Sequence, residues 1–136
     1  MIALADFYMG RDKTYASELT PEIKKNAVET VRRVNQFLEL FYAHNPKAGK
    51  RTVNSGWRPP AVNASTKKAA AKSKHMLCLA CDLSDDDEAL DKWCMTPDGR
   101  KALEAVGLWL EHPSATPRWC HLQKIAPSSG NRVFYP

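Results

Sequence analysis

Apolar side chains at Ile23, Ala27, Val31, Val34, Leu38 and Phe41 recur every three or four residues, while Lys24, Lys25, Arg32, Arg33 and Glu39 take the opposite face. That period predicts an amphipathic helix running to about Tyr42. Its start is marked by Thr20-Pro21-Glu22: a hydroxyl cap, proline at the first helical position, and an acid at the positive end of the helix dipole. Asn45-Pro46-Lys47-Ala48-Gly49-Lys50 reads as a loop.

Beyond the loop the period changes. Thr52-Val53-Asn54-Ser55 predicts a short strand, stopped by Gly56 and the Pro59-Pro60 pair. Residues 61–71 are small and basic, with Lys67 and Lys68 and then Lys72, and predict a short helix or an exposed loop. Residues 77–83 form an apolar run of strand length. Ser84-Asp85-Asp86-Asp87-Glu88 caps a helix reaching about Cys94, and Pro97-Asp98-Gly99-Arg100 opens another that closes at Gly107. Residues 108–110 and 119–125 are the last strands, separated by a loop holding Pro113 and Pro117. This order, with no internal repeat, predicts an α+β fold: a small, mainly antiparallel sheet packed against a long N-terminal helix and two shorter ones.

At 136 residues the chain is expected to form a single domain over 1–136, burying roughly 68–70% of its unfolded surface. With 43% hydrophobic and 26% charged residues, wholesale disorder is excluded. No apolar run approaches membrane-spanning length. The N-terminus lacks a basic segment and meets an acid at Asp6, so no signal peptide is expected and the chain should accumulate in the cytoplasm. The net charge of +5 favours polyanionic surroundings. Four cysteines in such a setting are expected to be thiols.

Among the four histidines, His44 ends the long helix and reads as a surface residue. His75, Asp82 and His121 offer the three protein ligands of a catalytic zinc site, although such residues occur in most chains of this length. His75 and Asp82 have opposite parity and cannot share a face of one straight strand, so a turn around residues 76–78 must separate them. A structural zinc knuckle from Cys78-x-x-Cys81 with Cys94 and Cys120-His121, which would make the chain a binding module, is the rival, but Cys94 and Cys120 are isolated where paired spacings are needed. Lys67, Lys68, Lys72 and Lys74 lack the interleaved aromatics of a nucleic-acid surface and read as a solvated loop.

The full motifs change the weighting. Ser73-x-His75-x-x-Cys78-x-Ala80-x-Asp82 resembles the signature of the zinc D-Ala-D-Ala carboxypeptidases and related phage endolysin peptidases. Ser55-Gly56-Trp57-Arg58-Pro59 and Trp119-Cys120-His121 are similar to that family's other two motifs, in the same order. Tyr8-Met9-Gly10-Arg11-Asp12, Leu108-Trp109-Leu110-Glu111 and the 132–136 end resemble its compact phage and prophage branch.

The resemblance implies a zinc metallopeptidase that cuts peptidoglycan stem or cross-link peptides with metal-activated water. It implies His75, Asp82 and His121 as zinc ligands, Arg58 facing the substrate and Ser73 orienting the site. Without a signal peptide the enzyme is expected to reach the cell wall by phage or prophage lysis, on a virion, or through a partner. No nucleic-acid partner and no membrane span are expected, and the chain is expected to be a monomer. The alternative is a non-catalytic zinc-containing wall-binding or structural domain of the same fold.

Two positions depart from the pattern. Cys78 stands where the family usually has glycine, and Arg118 where many relatives carry the catalytic glutamate. Glu111 is then the best acid to serve as general base, with His112 as the fallback. Alternation along the strands should turn Cys81 and Cys120 away from the metal. On adjacent strands they are expected near-opposite one another, with Cα atoms about 4.5–5.5 Å apart.

Overall fold

The computed structural model describes residues 1–67 and 69–136 and is α+β. Lys68, part of the expected basic run, lies outside the described residues. The long helix runs Pro21–His44 (the third helix, α3), capped by Thr20 Oγ1, which accepts from the Ile23 N–H. Two short helices precede it, Leu4–Tyr8 (α1) and Arg11–Thr14 (α2), which the apolar pattern did not disclose. The following elements are Val53–Ser55 (β1), Pro60–Ser65 (α4), Ala80–Ser84 (β2), Ala89–Cys94 (α5), Pro97–Val106 (α6), Trp109–Glu111 (β3), Trp119–Gln123 (β4) and Val133–Phe134 (β5).

The five strands lie in the order β1-β2-β4-β3-β5. All neighbours are antiparallel except β3 and β5, which are parallel. One face of the sheet is apolar. Cys81 and Leu83 of β2, Leu110 of β3, and Cys120 and Leu122 of β4 are fully buried there. They join a cluster with Val34, Phe37, Leu38 and Phe41 of α3 and Leu103 of α6. Because side chains alternate, the residues between them face the other way. Asp82 and His121 are among them, and Glu111, next to Leu110, shares their face.

Two predicted elements start later than their sequence suggested. The 77–83 run is not all strand, because residues 74–77 close into a 3₁₀ turn and Cys78 turns left-handed before β2 begins at Ala80. The helix expected from Ser84 begins at Ala89, since Ser84 stays paired in β2. Asp85 caps it from outside: its two carboxylate oxygens accept the Leu90 and Asp91 N–H groups, each at 2.9 Å. Arg51, itself buried, pairs with Asp85 at 3.2 Å and with Asp87 at 2.6 Å. No helix among the described residues is long and apolar enough to cross a membrane.

Candidate metal centre

Strand register brings the first two predicted ligands together. Asp82 and His121 pair directly across β2 and β4, on the face opposite the core. Asp82 Oδ1 lies 2.7 Å from His121 Nδ1. His75 comes from the 3₁₀ turn Lys74–Leu77, and its Nε2 lies 3.3 Å from Asp82 Oδ2. One ligand atom from each residue falls within 4.8 Å of the others. Among the described residues this is the one such gathering of histidine, cysteine and carboxylate side chains.

The turn that delivers His75 is held from several sides. Ser73 Oγ accepts the His75 N–H at 3.2 Å, and the Cys78 N–H donates back to the His75 carbonyl. Thr30 and Asn26 of α3 donate to the carbonyls of Cys78 and Leu77. The Trp57 indole N–H donates to Met76. Cys78 has φ +59°, the left-handed conformation that glycine adopts without strain. The turn keeps its shape with a buried side chain at that position.

Two backbone carbonyls decide which ring nitrogens are free. A carbonyl oxygen only accepts, so Gly56 O, 2.9 Å from His75 Nδ1, requires the proton there and leaves Nε2 bare. On the other histidine the argument has one more link. Ile125 O accepts from Gln123 Nε2 at 2.9 Å, so Gln123 Oε1 must face His121 Nε2, 3.1 Å away. That nitrogen therefore donates, and in the neutral ring Nδ1 carries the lone pair. Two imidazole lone pairs and a carboxylate thus converge on one point, which requires a positive charge among them, either a proton or a metal ion.

The titration of the site reflects this. Burial works against charge on Asp82, yet hydrogen bonds with His121 and His75 outweigh it and hold the carboxyl well below its ordinary range. Burial also disfavours the His121 cation, but Asp82 overrides it and raises that pKa. The His75-Asp82-His121 group fits a metal ion in donor type, spacing and outer hydrogen bonds.

Glu111 belongs to the same place. It ends β3, one pairing step beyond Leu110 opposite Leu122, and its Oε2 lies 3.8 Å from His121 Nδ1. Burial raises its carboxyl pKa; His121 pulls it down and Asp82 adds to the rise. His112 turns elsewhere. Its ring stacks on Tyr135 at 4.4 Å, and its Nδ1 accepts from the Ser114 N–H. Arg118 is exposed, 3.6 Å from Asp86.

Arg58 lines the same cleft, a space of about 530 Å³ over the metal group. One of its terminal nitrogens donates to Ser73 Oγ at 2.9 Å, while its buried Nε has no partner. Ser73 therefore links Arg58 to the His75 backbone. Gln123 and the Gly56 carbonyl were missed from the sequence. Gln123 was findable, since it follows His121 by two residues and so shares its face.

The cysteine expectation needs correction. Cys81 and Cys120 do point into the core, but they are not opposite each other: Cys81 pairs with Leu122, and Cys120 with Leu83. In an antiparallel pair, stepping back from Asp82 on β2 steps forward from His121 on β4, so the thiols lie on a diagonal. The thiol neighbour of Cys120 is Cys94 of α5. All four cysteines are buried and free. Compared with protein-family models, with curated proteins and with solved structures, the chain gives no match.

Proposed function

We propose that this chain is a zinc metallopeptidase acting on peptidoglycan stem or cross-link peptides, of the D-Ala-D-Ala carboxypeptidase and phage endolysin type. The observation that carries the reading is a carboxylate beside the metal group: Glu111 Oε2 is 3.8 Å from His121 Nδ1 and opens into the same cleft. A site that only held a metal for structure would have no use for a further acid and an arginine with spare donors above it.

His75, Asp82 and His121 would hold the ion, and two imidazoles with one carboxylate suit zinc. Zinc supplies Lewis acidity there, acidifying water and polarising an amide carbonyl. Glu111, its pKa raised by burial, takes the proton of the attacking water and returns it to the leaving amine. Arg58, steadied by Ser73, directs its remaining N–H groups at the developing oxyanion or at a substrate carboxylate. The net charge of +5 favours contact with an anionic wall.

The test is digestion of purified sacculi by zinc-loaded protein, with fragments weighed by mass spectrometry. The expected result is a defined new peptide end, and a loss of about 10²–10⁴ in rate for Glu111→Gln with zinc uptake unchanged. Intact sacculi in the presence of fully loaded protein would favour a non-catalytic wall-binding or structural domain instead.

A further inference from the structure

Between Glu39 and Asp82 the chain has no acidic residue, yet it carries eight basic ones, including Arg58, Lys67, Lys72 and Lys74. A solvated charged surface ordinarily mixes signs, so this bias is notable only if the fold uses it. The fold does. Lys67, Lys72 and Lys74 all lie between α4 and β2, and all three line the cleft above the metal group, as Arg58 does. Their side chains are exposed, and none is paired with a carboxylate among the described residues. Trp119, Phe134 and Ala115 also line the cleft. The acids in the cleft are Asp82 and Glu111, and the metal group occupies the first.

We propose that Lys67, Lys72 and Lys74 form a carboxylate-recognition wall, so that the cleft selects acidic peptides, those presenting at least two free carboxylates, over amidated ones. The inference rests on the peptidase reading and specifies its substrate class. Three unpaired ammonium groups lining a concave site focus a positive field into it, and a bound divalent ion would add to that field. Each exposed ion pair contributes little alone, so the discrimination comes from several acting together. A nucleic acid would meet the same charges. Trp119 and Phe134 in the cleft offer faces on which a base would stack, so an oligonucleotide is an arm of the test. The choice of a peptide follows from the peptidase reading on which the proposal rests.

The experiment uses an acidic peptide and its fully amidated twin of equal length, titrated by NMR into the metal-free chain so that nothing is cut. The expected result is roughly ten-fold tighter binding of the acidic peptide at low salt. That preference should shrink as salt rises from about 0.01 M to about 0.15 M, which shortens the Debye length from about 30 to about 8 Å. It should also fall to the part that Arg58 alone supplies in the Lys67→Gln/Lys72→Gln/Lys74→Gln variant, which keeps zinc uptake because no ligand is touched. A preference undiminished in that variant overturns the proposal. Equal binding of the two peptides, or no binding of the acidic one, overturns the proposal. So does a short oligonucleotide that binds more tightly than the acidic peptide through the same lysines. Selective binding without hydrolysis of sacculi by zinc-loaded protein would uphold the wall and overturn the peptidase reading.

Discussion

Gln123 Oε1 lies 3.1 Å from His121 Nε2, and the amide end of the same side chain is held by the Ile125 carbonyl at 2.9 Å. One buried amide therefore dictates which nitrogen His121 turns toward Asp82. Gln123→Ala should lower metal affinity about 10–100-fold, read by competition with a chromophoric chelator. Gln123→Glu, which keeps an acceptor in place, should recover most of it. Unchanged affinity in the alanine variant would mean that packing alone sets the ring.

Gly56 serves the site twice. A Cβ there would meet the Phe7 carbonyl oxygen at 1.9 Å, and its own carbonyl accepts from His75. Gly56→Ala must push α1 away from β1 or shift the carbonyl that orients His75. We expect a stability loss of about 2 kcal/mol or more, together with weaker metal binding. Denaturant midpoints and a zinc titration on the same sample would show both effects. A variant with unaltered stability contradicts the close packing.

Cys78 offers a reversal of a general rule. Alanine usually stabilises relative to glycine by about 0.4–1 kcal/mol through the unfolded chain. At φ +59° a Cβ costs roughly 1–2 kcal/mol, and both replacements remove the same buried sulfur. Cys78→Gly should therefore match or exceed Cys78→Ala in stability, with zinc uptake the same in both. Urea midpoints decide it, and a clearly more stable alanine variant refutes the strain.

Asp91 governs part of the pH response of stability. Burial and the neighbouring Asp85 charge raise its carboxyl from 3.8 to about 7, and one of its oxygens has no hydrogen-bond partner. Above the unfolded value the folded form keeps a proton that the unfolded chain has released. Stability therefore falls as pH rises from about 4 to about 7 and levels off above that. A shift of this size corresponds to a few kcal/mol at most, about 1.4 per unit. His121 contributes in the same direction, so the informative quantity is the difference between wild type and Asp91→Asn. The variant should gain on wild type as pH rises through that window. Parallel profiles would place the Asp91 carboxyl at its ordinary value.

The long helix and the α6 segment were legible because each announces itself locally. Thr20-Pro21 and Thr96-Pro97 mark the starts, Gly107 marks one end, and α3 carries a sustained apolar stripe. The short elements were not legible in the same way. Five residues of α1 and two of β5 are too few to show a period, and they form because α3 and β3 supply partners for them. Residues 77–79 are as apolar as a strand, yet hydrogen bonds from Asn26 and Thr30 hold them in a turn.

His75, Asp82 and His121 could be named from their motifs, and pleat parity required the bend between the first two. Within a strand, alternation is a local property, so it also predicted that Cys81 and Cys120 would face the core. Which residues lie opposite one another is not local. It depends on register, which pairs Asp82 with His121, moves Cys120 away from Cys81, and brings Glu111 to the candidate metal group while His112 turns to Tyr135. The tautomers of both histidines likewise rest on carbonyls of Gly56 and Ile125, whose positions only the folded chain sets. The charges of Lys67, Lys72 and Lys74 are plain in the sequence. That they stand over a metal group is a property of the tertiary structure alone, because a loop's composition says nothing about the cleft it borders.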